Sequence, residues 1–195
     1  MVGLVISDTF LLTGNWQNDV DGALTVSDVT QVQFTEPISS FLHNEAELNA
    51  ILASTLRKAK EVNSFAGQDI VIGLPDSFVE HSIVKMEHDL SRDDHEEYIK
   101  WLDIQKRRSK DQSVYIFGQV YYPAEENIHV CTVPRALVRT LKLSITEMGG
   151  NARWMGPVSS MYLDGSGMSE AAMIHRVGNK YSFMKVQNNC FGMGI

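Results

Sequence analysis

The 195-residue chain has only two cysteines, no excess of positive charge and no long apolar run. Cys131 and Cys190 cannot frame a disulfide scaffold, and a reducing, cytoplasmic setting is favoured. No apolar run approaches the roughly 20 residues that span a bilayer, and the first residues lack the basic region of a signal peptide. The net charge of -7 argues against nucleic acid as a partner. These absences leave a soluble globular protein of one large domain or two small ones.

Catalytic and metal-binding motifs are missing as well. The sequence has no Gly-x-Ser-x-Gly elbow, no P-loop and no GxGxxG fingerprint. His81, His88 and His95 recur every seven residues, but this period runs through a strand, a loop and a helix, so it does not place them on one face. The acidic run 93–97 lies where a helix begins, and carboxylates there favour the positive end of the helix dipole. We therefore assign no catalytic residue and no metal ligand.

The hydrophobic pattern predicts a mixed protein in the order β-β-β-α-β-β-α-β-β-α-β, followed by a turn and a final hairpin. Helices are expected over 45–62, from Ser91 onward, and from Pro134 at the first helical position to Met148. Cys131 lies at an apolar strand position and is predicted to be a small buried hydrophobe. The strands are expected over 2–6, 10–16, 24–34, 69–75, 78–86, 114–122, 128–133, 152–158, 171–177 and 181–187. This mixture is typical of an α/β or α+β fold of packed layers.

Six short motifs give the chain a resemblance to a known family. In order they read GLVISDTF, LASTLRKA, IVIGLPDS, LSRDDHEEYIKW, VPRALVRTL and MGPVSSMY, beginning at positions 3, 52, 70, 90, 133 and 155. The order resembles the N-terminal half of the bacterial actin-like proteins of type IV pilus assembly (PilM). Their relatives include the cell-division protein FtsA and the type II secretion protein GspL. The resemblance covers almost the whole chain.

The resemblance implies an actin-like (ribonuclease H-like) lobe formed by residues 1–35 and 134–165. It also implies an inserted strand-helix-strand-strand subdomain over residues 36–133. Residues 166–195 would then be the start of a truncated second lobe. In an actin-like fold, a nucleotide lies between two lobes, so ATP and Mg²⁺ are expected as cofactors only where a second lobe is present.

The resemblance also implies where a phosphate would bind. The first phosphate hairpin of the family falls on Ser7, Asp8 and Thr9, which are the candidate cofactor-binding residues. The family has an aspartate and a glycine in this hairpin, and those two positions fall here on Val5 and Ser7. A valine cannot coordinate a metal or a water, so we expect no nucleotide turnover and no resident cofactor.

The function that the resemblance implies is that of a cytoplasmic scaffold in a pilus or secretion assembly. Its partner would be a membrane-anchored protein, bound through a short peptide segment by helix-in-groove docking or strand addition. The chain would lie at the inner membrane through that partner, without inserting itself, and self-association stays open. Two alternatives are kept: an ATP-binding actin-like ATPase, of which this is the N-terminal half, and a stand-alone ligand-binding α/β domain.

Overall fold

The computed structural model describes residues 1–18, 24–85, 94, 97–98, 101–102, 115–122, 127–158, 170–177, 180–187 and 190–194. Within these ranges lie two complete helices, α1 (Glu45–Val62) and α2 (Arg135–Glu147), and residues 94, 97, 98, 101 and 102 are also helical. Short 3-10 helices cover Ile38–Phe41 and Asp76–Phe78. The strands are β1 (Val2–Ile6), β2 (Phe10–Asn18), β3 (Leu24–Gln33), β4 (Asp69–Leu74), β5 (Glu80–Lys85), β6 (Tyr115–Tyr122), β7 (Asn127–Pro134), β8 (Asn151–Pro157), β9 (Glu170–Val177), β10 (Lys180–Gln187) and β11 (Cys190–Gly194).

The predicted order of elements is confirmed wherever the structure describes it, and the helix over 45–62 has the predicted bounds. Two details differ. Pro134 is the last residue of β7 and the N-cap of α2 rather than its first helical residue, and the final hairpin gains a third strand, β11. The predicted helix start at Ser91, the basic run 106–110, the helical turn at 159–163 and the turn at 178–179 lie outside the described residues.

The central sheet has five strands in the order β3-β2-β1-β4-β8. Antiparallel hairpins join β1, β2 and β3, whereas β4 pairs parallel with both β1 and β8. Leu4 of β1 lies beside Ile72 of β4, and both side chains are fully buried. Because parallel neighbours need crossover connections, α1 precedes β4 and α2 precedes β8. The carboxyl ends of β1, β4 and β8 therefore lie at one edge of the sheet.

The core forms between this sheet and the two helices, which pack against each other. Apolar residues recur along α1 with the helical period, and this stripe is buried except for half-buried Ile51. Gly149 follows α2 with φ +84, in the left-handed region that favours glycine at the end of a helix. The fully buried side chains of the core include Leu4, Ile6, Leu11, Ile38, Leu48, Leu52, Leu56, Phe65, Ile70, Ile72, Leu137, Leu141 and Ile145.

Two further sheets have three strands each, in the orders β5-β7-β6 and β9-β10-β11. α1 and β4 fall within residues 36–133 and belong to the layers of the central sheet. The reason is that β4 is a continuous apolar strand, which suits a parallel strand buried on both faces. Among the described residues of 36–133, the strands β5, β6 and β7 form a separate sheet, and Cys131 and Val133 of β7 still contribute to the common core.

Candidate functional site

The three predicted phosphate ligands form the turn between β1 and β2. This turn lies at the edge of the sheet where the parallel strands β1, β4 and β8 end, and that edge is where ligands bind in open α/β sheets. Ser7 is buried, Asp8 is half-buried and Thr9 is exposed. The turn closes on itself, since the main-chain N–H of Ser7 donates to the carbonyl of Phe10 at 2.8 Å.

The carboxylate of Asp8 is engaged with a residue 31 positions further along the chain. Its Oδ1 accepts a hydrogen bond from the main-chain N–H of Ser39 at 2.8 Å, and its Oδ2 accepts one from the Ser39 hydroxyl at 3.0 Å. The Asp8 carbonyl accepts from the N–H of Ile38 at 2.9 Å. The neighbouring carbonyl of Thr9 accepts from the N–H of Phe34, also at 2.9 Å. The chain that follows β3 thus lies against the turn through four hydrogen bonds.

The residues of the turn do not fit Mg·ATP. Val5, which stands where the family has its aspartate, pairs with Leu12 and Gly73 inside the sheet and offers no oxygen. Ser7 brings a side chain to the position where glycine would let phosphate approach the backbone. The only carboxylate in the turn, that of Asp8, already accepts two hydrogen bonds from Ser39. Phosphate binding at Ser7, Asp8 and Thr9 stays a prediction from the resemblance, and these contacts do not support it.

A buried acid and a buried thiol lie close together near the same edge, a pairing that the sequence did not reveal. Asp76 follows β4 and is 9% exposed, while Cys131 of β7, whose sulfur is not in a disulfide, is 8% exposed. Burial first, and then the negative charge of Asp76, together raise the pKa of the Cys131 thiol to about 12. A thiol held in its protonated form is a poor nucleophile. Cys131 is therefore the buried hydrophobe that was predicted, and not a reactive residue.

An aromatic pair lies among the described helical residues 94, 97, 98, 101 and 102. The rings of Tyr98 and Trp101 stack with centroids 6.1 Å apart and planes inclined by 21°. Trp101 is 53% exposed, whereas Tyr98 and Leu102 are half-buried. Of the described residues in this segment, 94 and 97 are exposed as well. Its exposed tryptophan was not singled out, although position 101 closes the fourth motif.

In the described ranges, no three His, Cys, Asp or Glu side chains lie close enough together to bind a metal ion. Over the same residues, no helix has both the length and the apolar character needed to cross a membrane.

Comparison with known proteins finds similarity in structure only. No protein-family model and no curated protein sequence matches the chain. The cytoplasmic domain of EpsL, an inner membrane component of the type II secretion system of Vibrio cholerae, is similar with a TM-score of 0.63 and 13% identity. The match covers 99% of this chain and 70% of that one.

Two further solved structures share the fold. A chain of the PilM–PilN type IV pilus biogenesis complex matches with a TM-score of 0.64 and 10% identity, over 98% of this chain and 60% of that one. A Bacteroides thetaiotaomicron protein with an actin-like ATPase fold and unknown function matches with a TM-score of 0.54 and 9% identity, over 97% and 66%. The chain thus spans between 60% and 70% of the length of these neighbours. Its fold is actin-like, of the kind found in PilM- and GspL-type proteins, as the order of the six motifs predicts.

Proposed function

We propose that this chain is an actin-like scaffold that docks a membrane-anchored protein in a pilus or secretion assembly. The observation that carries the proposal is the fold shared with two proteins of such systems. One is described as an inner membrane component of a secretion system, and the other was solved as a complex of PilM with PilN. By analogy, the chain would work on the cytoplasmic face of a bacterial inner membrane, held there by its partner.

Nucleotide turnover is not part of the proposal. The hydrogen bonds of Asp8 with Ser39 and the apolar Val5 leave the turn without a free carboxylate for metal or water. The rival function, an actin-like ATPase, is favoured by the fold description of the Bacteroides neighbour. It requires Mg·ATP to bind at this turn, and the contacts described above speak against that.

The proposal divides the chain by sheet membership. The first lobe comprises residues 1–79 and 135–165, which contain the central sheet, α1 and α2. The inserted subdomain comprises residues 80–134 with the sheet of β5, β6 and β7, and residues 166–195 begin a second lobe. This division moves α1 and β4 out of the insertion and leaves the segment with Tyr98 and Trp101 inside it.

Trp101 is the anchor that we assign to the partner. Tryptophan and tyrosine are enriched among the residues that dominate binding energy at protein interfaces. Trp101 is one of the few large apolar side chains exposed by more than half among the described residues, and stacking on Tyr98 limits its freedom before binding. A rigid exposed aromatic ring suits an apolar side chain of a short peptide segment, the kind of partner expected here.

Sedimentation with membranes tests the proposal. The purified chain is mixed with inverted inner-membrane vesicles from the source bacterium, with the same vesicles after trypsin treatment, and with protein-free phospholipid vesicles. We expect it to sediment with the untreated vesicles alone, because the partner is a protein. Sedimentation with the lipid vesicles, or with none of the three, would show the scaffold proposal to be wrong.

Two variants test the anchor separately. Trp101→Ala should reduce the bound fraction at a fixed vesicle concentration by about tenfold, as loss of an interface hot spot does. Leu143→Ala is the matched control, because Leu143 on α2 is 55% exposed, close to the 53% of Trp101. Equal binding by both variants would exclude Trp101 as the anchor while leaving the scaffold itself in place. Unchanged melting temperatures confirm that both variants are folded.

A further inference from the structure

The first turn of the 3-10 helix Ile38–Phe41 has no capping side chain of its own. Its N-cap residue is Pro37, which has no side-chain acceptor. Helix starts leave main-chain N–H groups that need acceptors from elsewhere. Asp8 supplies two of these acceptors: its carbonyl accepts from the N–H of Ile38, and its carboxylate accepts from the N–H of Ser39. The third N–H, that of Ser40, bonds to the Pro37 carbonyl at 3.2 Å.

These bonds fix where the chain leaves the central sheet on its way to α1. Phe34 comes directly after β3, is 8% exposed, and is bonded to the Thr9 carbonyl. Ile38 is fully buried in the core between the sheet and the helices. Because the turn accepts hydrogen bonds from the N–H groups of Phe34, Ile38 and Ser39, it holds the side chains of Phe34 and Ile38 in the core.

We propose that Asp8 is a structural latch between the β1–β2 turn and the 3-10 helix, and that this latch closes the turn to nucleotide phosphate. Binding of Mg²⁺ by the Asp8 carboxylate would require it to give up both bonds with Ser39. That exchange would leave the N–H of Ser39 without an acceptor. It would also break hydrogen bonds to a charged group, which are stronger than those between neutral groups. Asp8 lies in the turn that would bind phosphate in an ATPase of this fold, and here it stabilises the lobe instead.

This inference shares with the proposed function only the absence of nucleotide turnover, and it involves no partner. Its measurements are therefore thermal unfolding and calorimetric titration with Mg·ATP, both on the purified chain. Vesicle binding can fail without affecting either readout, and the latch can fail without affecting vesicle binding.

Four variants define the test. Asp8→Ala should lower the melting temperature by about 2–6 °C, the range for losing a helix cap in a domain of this size. Ser39→Ala should lower it less, because the main-chain bond to Asp8 survives. The double variant should melt close to Asp8→Ala alone, because the Ser39 hydroxyl then has no acceptor to lose. Thr9→Ala is the matched control in the same turn, and it should melt like the unchanged chain because Thr9 is exposed.

The titration completes the test. We expect no saturable heat of binding with millimolar Mg·ATP for the unchanged chain. Saturable binding that Asp8→Ala abolishes and Ser39→Ala preserves would overturn the latch and would favour the ATPase. A melting temperature unchanged in Asp8→Ala, or losses that simply add in the double variant, would overturn it too. Should Asp8→Ala fail to fold, Asp8→Asn replaces it in the same comparison, because asparagine keeps one acceptor oxygen and should lose less.

Discussion

The side-chain amide of Asn63 donates a hydrogen bond of 2.9 Å to the main-chain carbonyl of Asp28, and so ties the end of α1 to the edge strand β3. Asn63 is fully buried, and its own N–H caps the helix by donating to Ala59. Asp28 has φ +53, in the left-handed region, where residues 28 and 29 of β3 lie opposite Gly14 alone. That arrangement is a β-bulge, and Asn63 holds it in place.

Asn63→Ala should lower the free energy of unfolding by about 1–3 kcal/mol, because a part-buried carbonyl loses its donor. Urea denaturation measures the loss. Asn49→Ala is the control on the same helix, where the side chain is exposed. It should be neutral or stabilising by up to about 0.7 kcal/mol, since alanine is the better helix former. If the two variants unfold at the same urea concentration, the bond between Asn63 and Asp28 contributes nothing to stability.

Local features of the fold were predictable because they depend on residues close in the sequence. The stripe of Leu48, Leu52, Leu56 and Ala59 repeats with the helical period, and these side chains are the ones that α1 buries. The hairpin of β1 and β2 follows from two apolar runs separated by a tight turn. In both cases the short-range pattern and the tertiary packing favour the same structure.

Long-range pairings were not predictable in this way. The apolar run from Ile70 to Leu74 indicates a buried strand, but its neighbours β1 and β8 are set by tertiary packing and cannot be deduced from the run itself. The bond of Asp8 with Ser39 joins residues 31 apart, and nothing in either segment signals it. The candidate site is the part least predictable from the sequence, because its chemistry depends on which side chains are already engaged in these long-range contacts.

Two leucines on α2 test the placement of the core. Leu141 is fully buried against the sheet, whereas Leu143, two residues on, is 55% exposed. Leu141→Ala should lower the free energy of unfolding by about 2–5 kcal/mol, through lost burial and the cavity it leaves. Leu143→Ala should change it by no more than about 0.5 kcal/mol. Urea denaturation of both variants is the measurement, and similar losses would mean that α2 is rotated from the orientation described.

The buried thiol of Cys131 should make stability fall at alkaline pH. The pKa of this thiol is raised from 9.0 to about 12 in the folded chain, first by burial and then by the charge of Asp76. Below pH 9 the thiol is protonated in both states, so its contribution to stability is fully present. Between pH 9 and 12 the unfolded chain releases the proton while the folded chain keeps it, so stability falls as pH rises.

Comparing the unchanged thiol with Cys131→Val, both in a Cys190→Ser background, isolates this effect, because valine suits a buried strand position and does not titrate. Unfolding by urea is measured at intervals from pH 8 to pH 10.5. The chain with Cys131 should lose up to about 1.4 kcal/mol more per pH unit above pH 9 than the valine variant, the free energy of one proton. Tyrosines and lysines titrate in the same range, but they are common to both chains and cancel in the difference. Parallel curves for the two chains would mean that the thiol ionises as readily in the folded protein as in the unfolded one, and that Cys131 is accessible to water.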